Sequence, residues 1–164
     1  GLDIAIHSGV LPSSSRIAKR IGECEWLICA APQYLSEHGV PATPADLLDH
    51  RCFNFSFVSP WNKWSFLQDG EGVSVPVTAS ASFTQGDLLR DMALSGAGVV
   101  KLADFHIGLD VKAGTLVPLL EEFKSGIIEP VYLLYSDRKH LSPRIRVFIE
   151  FFQEKWRQNP WKVT

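Results

Sequence analysis

Apolar and polar positions follow two different periods along this chain, and each period predicts an element. Residues 52–57 (CFNFSF) alternate apolar and polar positions, which is typical of a half-buried strand. Ser142 and Pro143 provide a cap and a first helical position for a long amphipathic helix. The predicted buried stripe of that helix is Ile145, Phe148, Ile149, Phe152 and Trp156.

Short apolar runs bounded by Gly, Pro or Ser predict further strands. The predicted ranges are 3–6, 16–21, 25–30, 64–67, 73–79, 99–102, 115–119 and 130–135, with a loop at 9–15. Gly22 is predicted to separate the second strand from the third. The QDGEG sequence between 67 and 73 predicts a hairpin, and Pro76 indicates that its second strand lies at an edge.

Capping residues predict three shorter helices. Residues 32–38 form one that Gly39 ends, because glycine readily adopts the backbone conformation of a helix terminus. Thr43 and Pro44 begin a short helix that ends near His50. Thr84 is predicted to cap a helix that continues to Gly96. Helices alternate with strands, so the pattern predicts an α/β fold.

Composition indicates an ordinary globular protein of one domain or two small lobes. The chain has 164 residues, of which 46% are hydrophobic and 21% charged, and this balance excludes collagen, coiled coil and disorder. No run approaches the roughly 20 apolar residues of a membrane helix, and the first residues do not resemble a signal peptide. We therefore expect a cytoplasmic protein with no membrane partner.

Charge is unevenly distributed along the chain. Residues 1–135 carry nine Lys/Arg and fifteen Asp/Glu, whereas residues 136–164 carry seven and three. A chain that is acidic over most of its length is a poor nucleic-acid ligand by itself. The basic C-terminal region could favour a partner, but the preferred interpretation is the solvated face of a helix.

Cysteine and histidine positions favour neither disulfides nor a metal site. Cys24, Cys29 and Cys52 cannot all pair within one chain, and they form no CxxC motif. They are predicted to be reduced structural thiols of a cytoplasmic protein. No HExxH motif occurs among the five histidines, so we expect no metal and no cofactor.

Motif spacing gives no support for an enzyme. Gly96 and Gly98 form a GxG, but the predicted order is helix, glycines, strand, the reverse of a dinucleotide-binding turn. No P-loop and no GxSxG nucleophile elbow is present. Glu121 and Glu122 are neighbours whose side chains point apart, so they do not form a catalytic pair.

Two features remain open as binding sites. Residues 83–86 (FTQG) lead a strand into a helix, whose first N–H groups can bind a carboxylate; the alternative is an ordinary capped helix. An aromatic group can form either an apolar pocket or simply core. Its members are Phe53, Phe55, Phe57, Trp61, Trp64 and Phe66.

The order of several segments resembles the effector-binding region of LysR-type transcriptional regulators. The resemblance spans almost the whole chain in the family's order. The segments are 2–9 (LDIAIHSG), 16–22 (RIAKRIG), 27–35 (LICAAPQYL), 39–47 (GVPATPADL), 92–99 (MALSGAGV) and 140–149 (HLSPRIRVFI).

This resemblance implies a two-lobed α/β fold like that of type 2 periplasmic binding proteins, with a small-molecule cleft between lobes joined by two crossover strands. Lobe I would comprise residues 1–30 and 130–164, and lobe II residues 31–129. The family begins with a winged helix-turn-helix and a strand-helix-strand unit. Neither is found here, so the chain is expected to be N-terminally truncated and lobe I incomplete.

The implied function is that of a non-enzymatic sensor domain. It would bind a small-molecule effector, with carboxylates among the candidates, and would form a homo-oligomer, a dimer or tetramer, in the full-length protein. DNA would be contacted only through the missing N-terminal domain. The alternative is a solute-binding protein of a transport system, which shares the fold but predicts an exported chain.

The resemblance also places the effector-binding positions. Thr84 and Gln85 are the expected polar contacts, whereas Lys101 faces either an anionic effector or solvent. The full set is His7, Ser8, Ala30, Ala31, Phe83, Thr84, Gln85, Val100 and Lys101.

Overall fold

Strands and helices alternate through residues 4–11, 13, 15–136 and 142–163, the part of the chain that the computed structural model describes. The strands are β1 Ile4–Ser8, β2 Ile17–Ala30, β3 Cys52–Phe55, β4 Trp64–Gln68, β5 Glu71–Val75, β6 Ala79–Phe83, β7 Val99–Ala103, β8 Val117–Pro118 and β9 Ile128–Tyr135. The helices are α1 Pro32–His38, α2 Gly86–Leu94, α3 Asp104–Ala113 and α4 Pro143–Gln158, with 3₁₀ turns at Pro44–Asp49, Pro60–Asn62 and Glu121–Phe123. Asp3, Pro12 and Ser14, which belong to a predicted strand and loop, lie outside the described residues.

The chain divides into two compact units. Unit one comprises Gly1–Glu25 and Ile128–Pro160, and unit two comprises Trp26–Ile127 and Trp161–Thr164. No helix within the described residues is both long and apolar enough to cross a membrane.

Unit one is an antiparallel sheet covered by α4. Strand β9 lies between β1 and the first part of β2 and pairs antiparallel with both. The helix begins as its sequence predicts: Ser142 is the N-cap, and its Oγ accepts the N–H of Ile145 at 3.4 Å. Ile149 packs with Leu133 and Tyr135 to form the core. Phe148, predicted to be buried, is instead 40% exposed.

Gly22 does not break the strand, contrary to the prediction. The predicted strands 16–21 and 25–30 are one continuous strand, β2, with a register irregularity between Arg20 and Gly22. A Cβ at position 22 would overlap the indole of Trp156, so the glycine makes room for a packed side chain. Trp156, a residue distant in sequence, therefore explains why glycine is needed at position 22.

Unit two is a mixed sheet with cores on both faces. The second part of β2 pairs antiparallel with β7, and β3 runs parallel to both β7 and β6. One core contains Leu89 and Ala93 of α2 with Ile107 of α3. The other contains residues of α1 and of the β4–β5 hairpin, including Tyr34 and Trp64. The hairpin is confirmed, with Trp64 opposite Val75.

Several predicted boundaries in unit two are wrong. The predicted strand 73–79 divides before Pro76 into β5 and part of β6, because proline cannot donate a ladder hydrogen bond. The predicted strand 115–119 shortens to β8. Helix α3 was not predicted. It follows β7 directly, and its N-cap Ala103 provides no capping side chain.

The three cysteines form no disulfide and are all buried. Desolvation by burial raises the pKa of Cys52 to about 12 and raises that of Cys29 even further. Because the thiolate is the reactive species, these side chains are poor nucleophiles in the folded protein. The predicted structural role of the thiols is consistent with this burial.

We expect a thiol reagent such as Ellman's reagent to leave all three cysteines unmodified in the native protein and to titrate all three in denaturant. A Ser36→Cys variant is the matched control, since position 36 is exposed and its thiol should react at once. Rapid native modification of the parent chain, at a rate similar to that of the control, would contradict this expectation.

Candidate functional site

The carboxyl ends of β3 and β6 lie side by side in unit two. Phe55 pairs with Phe83, and the N–H of Ser56 donates to the Phe83 carbonyl at 2.9 Å. Thr84 and Gln85 follow and are exposed. Ligands of open α/β sheets commonly bind at the carboxyl ends of parallel strands, so Thr84 and Gln85 are well placed for this role.

Helix α2 begins one residue later than predicted. Gln85, not Thr84, is the N-cap, because Gln85 still has extended backbone angles (φ −132°, ψ 143°). Its side chain makes no capping hydrogen bond. Gly86 then begins the helix and is buried.

His106 of α3 packs against this helix start. A Cβ on Gly86 would lie only 2.6 Å from His106 Nε2, and the Asp87 carboxylate lies 3.3 Å from Nδ1. Burial lowers the pKa of His106, and the Asp87 carboxylate opposes that effect. Farther along α2, the Arg90 guanidinium donates two hydrogen bonds to the Asp110 carboxylate, at 2.6 and 2.7 Å. This bidentate pair fixes α2 on α3.

The lowered pKa of His106 predicts a loss of stability in acid. The unfolded chain takes up the proton near a pKa of about 6.5, whereas the folded protein resists it. The contribution of neutral His106 to the free energy of unfolding is therefore complete above the pKa of the unfolded chain. It declines as the pH falls from there through the pKa of His106 in the folded protein. Thermal melts from pH 8 to 5 should show a smaller decline for His106→Gln than for the parent.

A second histidine with a lowered pKa, His50, provides a variant for comparison. Its pKa is also lowered, first by burial and then by His38, so His50→Gln should remove a separate share of the same decline. If the pH profile of His106→Gln is parallel to that of the parent, His106 does not resist protonation in the folded state.

Four aromatic side chains form a cluster, here called the aromatic wall: Trp26, Phe55, Phe57 and Trp61. Their ring centroids are 5.4 Å apart for Trp26 and Trp61 and 5.5 Å apart for Phe55 and Trp61. Asn62 anchors the loop, since its Oδ1 accepts the Phe55 N–H and its Nδ2 donates to the Phe55 and Phe57 carbonyls. Phe57 is 42% exposed.

The aromatic group noted in the sequence is divided between the core and the accessible surface. Phe53, Phe55, Trp64 and Phe66 are buried core, whereas Phe57 and part of Trp61 are accessible. Trp26, Asn62 and His106 were not predicted as site residues. The buried indole Nε1 of Trp26 has no hydrogen-bond partner among the described residues.

Lys101 directs its ammonium group toward the aromatic wall. Its Nζ donates to the Lys63 carbonyl at 2.7 Å and to the Trp61 carbonyl at 3.4 Å. It also lies 5.4 Å from the ring centroid of Trp26, within cation–π range. The ammonium is thus partly desolvated and engaged with backbone carbonyls.

The other predicted positions have less accessible side chains. Ala30, Ala31 and Val100 are buried in the cores of unit two. In unit one, His7 and Ser8 end strand β1, and His7 Nε2 lies within hydrogen-bond distance, 2.8 Å, of the Val10 carbonyl. Within unit two, the structure brings Phe83, Thr84 and Gln85 together at the end of β6.

Unit one also contains a surface groove of about 570 Å³. Its lining residues are Ile21, Glu150, Gln153, Glu154 and Arg157, of which Arg157 pairs with Glu154. None of the predicted effector-binding positions lines it. No group of three or more His, Cys, Asp and Glu side chains among the described residues is placed to hold a metal ion.

Comparisons with known proteins agree with the sequence resemblance. The chain is 33% identical over 158 residues to the HTH-type transcriptional regulator CrgA of Neisseria meningitidis serogroup B, covering 96% of this chain and 52% of that protein. It is 32% identical over 152 residues to the HTH-type transcriptional activator AaeR of Escherichia coli K12, covering 91% and 48%. The chain thus spans about half the length of these curated relatives.

Solved structures show the same fold. The regulatory domain of CrgA from Neisseria meningitidis aligns with a TM-score of 0.85 and 32% identity, covering 94% of this chain and 76% of that one. Full-length AphB, a virulence activator of Vibrio cholerae, aligns with a TM-score of 0.74 and 28% identity, covering 93% and 51%. The predicted periplasmic-binding-protein-like α/β fold is confirmed. The family profile described as LysR substrate binding domain matches residues 1–157, so the chain belongs to the LysR substrate-binding domain family.

Proposed function

We propose that this chain is the effector-binding part of a bacterial LysR-type transcriptional regulator. The observation that carries the proposal is the family match over residues 1–157, together with relatives that are named as transcriptional regulators. An effector that binds one conformation more tightly shifts the population toward it. In the full-length protein that shift would alter DNA binding by a winged helix-turn-helix domain, so this chain would contact DNA only indirectly.

The proposed effector contacts in unit two are at the carboxyl end of β6. Thr84 and Gln85 offer a hydroxyl and an amide, and the first N–H groups of α2 favour a negative charge. The partly exposed aromatic wall provides apolar surface beside a lysine. A small carboxylate fits this chemistry.

The remaining sequence expectations are part of the same proposal. His7, Ser8, Ala30, Ala31, Phe83, Val100 and Lys101 are proposed as additional effector-site positions. The lobes are proposed to be 1–30 with 130–164, and 31–129. The full-length protein would act in the cytoplasm as a non-enzymatic homo-oligomer.

Thermal melts with a panel of aromatic and aliphatic carboxylates, benzoate among them, test this function. A ligand present at 100 times its Kd should stabilise the protein by about 2.7 kcal/mol, which is a shift of several degrees. A saturable shift supports an effector site. A cooperative melt that no member of a broad carboxylate panel shifts would contradict the proposed ligand class.

Thr84→Val tests the proposed polar contact. If the Thr84 hydroxyl donates to a carboxylate effector, its removal should weaken binding about tenfold, or roughly 1.4 kcal/mol. Isothermal titration with the carboxylate found in the melts measures this loss. Thr84→Ser should retain affinity, and Thr78→Val, at another exposed threonine, is the matched control. Equal affinity of Thr84→Val and the parent would remove Thr84 from the site.

A further inference from the structure

Four side chains of unit two connect the C-terminal end of α1 to the start of β3. Tyr34 and His38 belong to α1, whereas His50 and Arg51 immediately precede β3. Tyr34 is fully buried, and its ring stacks on the His38 imidazole with the centroids 4.3 Å apart. The Arg51 guanidinium lies 5.8 Å from the centroid of the same tyrosine ring. His38 and Arg51 are exposed, so solvent protons have access to this group of side chains.

The hydrogen bonds of His38 are compatible with one protonation state only. Its Nδ1 lies 3.1 Å from the Tyr34 carbonyl, which can only accept, so Nδ1 carries a proton and donates it. Its Nε2 lies 2.8 Å from Arg51 Nη2, which can only donate, so Nε2 is unprotonated and accepts. His38 is therefore neutral, in the Nδ1–H tautomer. Protonation of Nε2 would direct two donors and two positive charges toward each other.

His50 is subject to a similar condition through Tyr34. The Tyr34 hydroxyl oxygen accepts the N–H of Arg51 at 3.0 Å and lies 3.1 Å from His50 Nδ1. When Nδ1 is unprotonated, the hydroxyl donates its own proton to it, and both groups are satisfied. When His50 is protonated, Nδ1 becomes a donor, and the buried hydroxyl group loses its acceptor. A buried donor without an acceptor destabilises the arrangement that contains it.

The charged groups around His50 act in opposite directions. Burial and then His38 lower the pKa of His50, whereas the carboxylates of Asp46 and Asp49, in the preceding 3₁₀ turn, raise it. The Asp46 carboxylate accepts the backbone N–H of Thr43 at 2.8 Å, and this hydrogen bond is the main cause of the lowered pKa of Asp46. Asp46 therefore stays ionised in mildly acidic solution.

Two further carboxylates belong to elements beside these side chains. Glu37 on α1 accepts a hydrogen bond from Gln33 at 3.2 Å, and Glu71 is the ionisable residue of β5, which packs on the 3₁₀ turn. Neither is among the groups that shift the pKa of His50. Carboxylates ordinarily titrate near pH 4 and histidines near about 6.5, so mild acid changes the charge of the histidines first.

We propose that Tyr34, His38, His50 and Arg51 form an acid-released latch, which holds the C-terminal end of α1 on the start of β3 while both histidines are neutral. Protonation of either histidine removes an acceptor from the network and adds a positive charge beside Arg51. The last turn of α1 and the segment at Arg51 then separate, while the rest of unit two stays folded. The latch goes beyond the proposed effector function and operates without an effector.

NMR of the imidazole nitrogens of the full chain at pH 7.5 is the first test. Long-range proton–nitrogen spectra distinguish a protonated ring nitrogen from an unprotonated one, and His38→Gln identifies the signals of His38. We expect a protonated Nδ1 and an unprotonated Nε2. A His38 signal with a protonated Nε2 overturns the latch, because that tautomer cannot accept from Arg51.

Hydrogen exchange of single amides at pH 7.5 and 5.5, corrected for the intrinsic rate at each pH, measures the release. The N–H of Arg51 donates to the Tyr34 hydroxyl and that of Gly39 to the Leu35 carbonyl at 2.9 Å, so these two amides report on the latch. Their protection should fall about tenfold at pH 5.5, as expected for the loss of a hydrogen bond to a charged group. The N–H of Leu119, bonded elsewhere in unit two, should keep its protection.

Glutamine variants separate the histidines from other titrating groups. Glutamine retains a side-chain amide that can accept a hydrogen bond, but it does not titrate. In the His38→Gln/His50→Gln double variant, the amides of Gly39 and Arg51 should therefore have equal protection at the two pH values. His106→Gln is the matched control, because it removes a histidine from α3 of the same unit and should keep the acid response of the parent. Circular dichroism verifies that each variant is folded.

Each result decides the proposal. Release in the parent and in His106→Gln, with none in the double variant, supports the latch. Equal protection of the Gly39 and Arg51 amides at both pH values in the parent overturns it. Release that persists in a folded double variant also overturns it, because the histidines are then not the groups that respond to acid. The tautomer and the acid response are measured on the parent chain, so either can overturn the latch even if the double variant does not fold.

Discussion

Replacing Trp64 by alanine is expected to lower the free energy of unfolding of unit two by about 4 kcal/mol. The Trp64 side chain is fully buried at the start of β4, in a core shared with Tyr34 and Leu47. Its Nε1 donates to Asn54 Oδ1 at 2.8 Å, so truncation leaves a large cavity and deprives the Asn54 amide oxygen of its donor.

Thermal and urea unfolding followed by circular dichroism measure this loss, which should appear as a decrease in Tm of roughly 10 °C. Leu67→Ala is the matched control on the same strand, since Leu67 is 45% exposed and should cost less than about 1 kcal/mol. Equal losses for the two variants would show that Trp64 does not contribute to the core as its burial indicates.

The elements that sequence predicts correctly are those determined by adjacent residues. Helix α4 begins at Pro143 because Ser142 caps it, and both residues are visible in the sequence. Helix α1 has the predicted bounds, with Gly39 at its end in a positive-φ conformation. The β4–β5 hairpin follows from its glycine-containing turn. In each case a local steric or hydrogen-bonding preference determines the element.

The errors occur where distant residues decide the structure. The sequence predicts a strand break at Gly22, whereas in the structure Trp156 occupies the space beside this glycine and the strand continues. Helix α3 lacks a simple apolar stripe because Ile107 faces the core, Gly108 contacts Trp161 and Asp110 pairs with Arg90. An amphipathic pattern requires apolar residues on the buried face and polar residues on the solvated face, whereas here Asp110 is buried and Leu109 is 58% exposed.

The candidate site shows the same division between features set by adjacent residues and features set by distant ones. The prediction of Thr84 and Gln85 as site residues rests on a strand-to-helix junction that is visible in sequence. Trp26 packs on Trp61 and His106 packs on Gly86, and nothing in the local sequence indicates these contacts between distant residues. The hydrogen bonds of Asn62 to the backbone of Phe55 and Phe57 are likewise not indicated by the sequence. The sequence allows two orientations of Lys101, since strand alternation alone does not show that Nζ reaches the Lys63 carbonyl.

The stability of unit one should depend on Trp156 as that of unit two depends on Trp64. Trp156→Ala is expected to lower the free energy of unfolding of unit one by about 3 kcal/mol. The indole is 7% exposed, lies over Gly22, and donates from Nε1 to the Glu23 carbonyl at 3.2 Å. Hydrogen exchange should show faster opening of β1 and β9. Phe151→Ala, 55% exposed on the same helix, is the control and should change little.

A double-mutant cycle tests the close fit between the two residues. Gly22→Ala alone should destabilise unit one by about 2 kcal/mol, because the new methyl group displaces the indole. In the Trp156→Ala background the same methyl group enters the vacated space and should cost almost nothing. The two losses would then be strongly non-additive, as expected for residues in contact. Additive losses would mean that Gly22 is required by the backbone of β2 and not by the tryptophan packed on it.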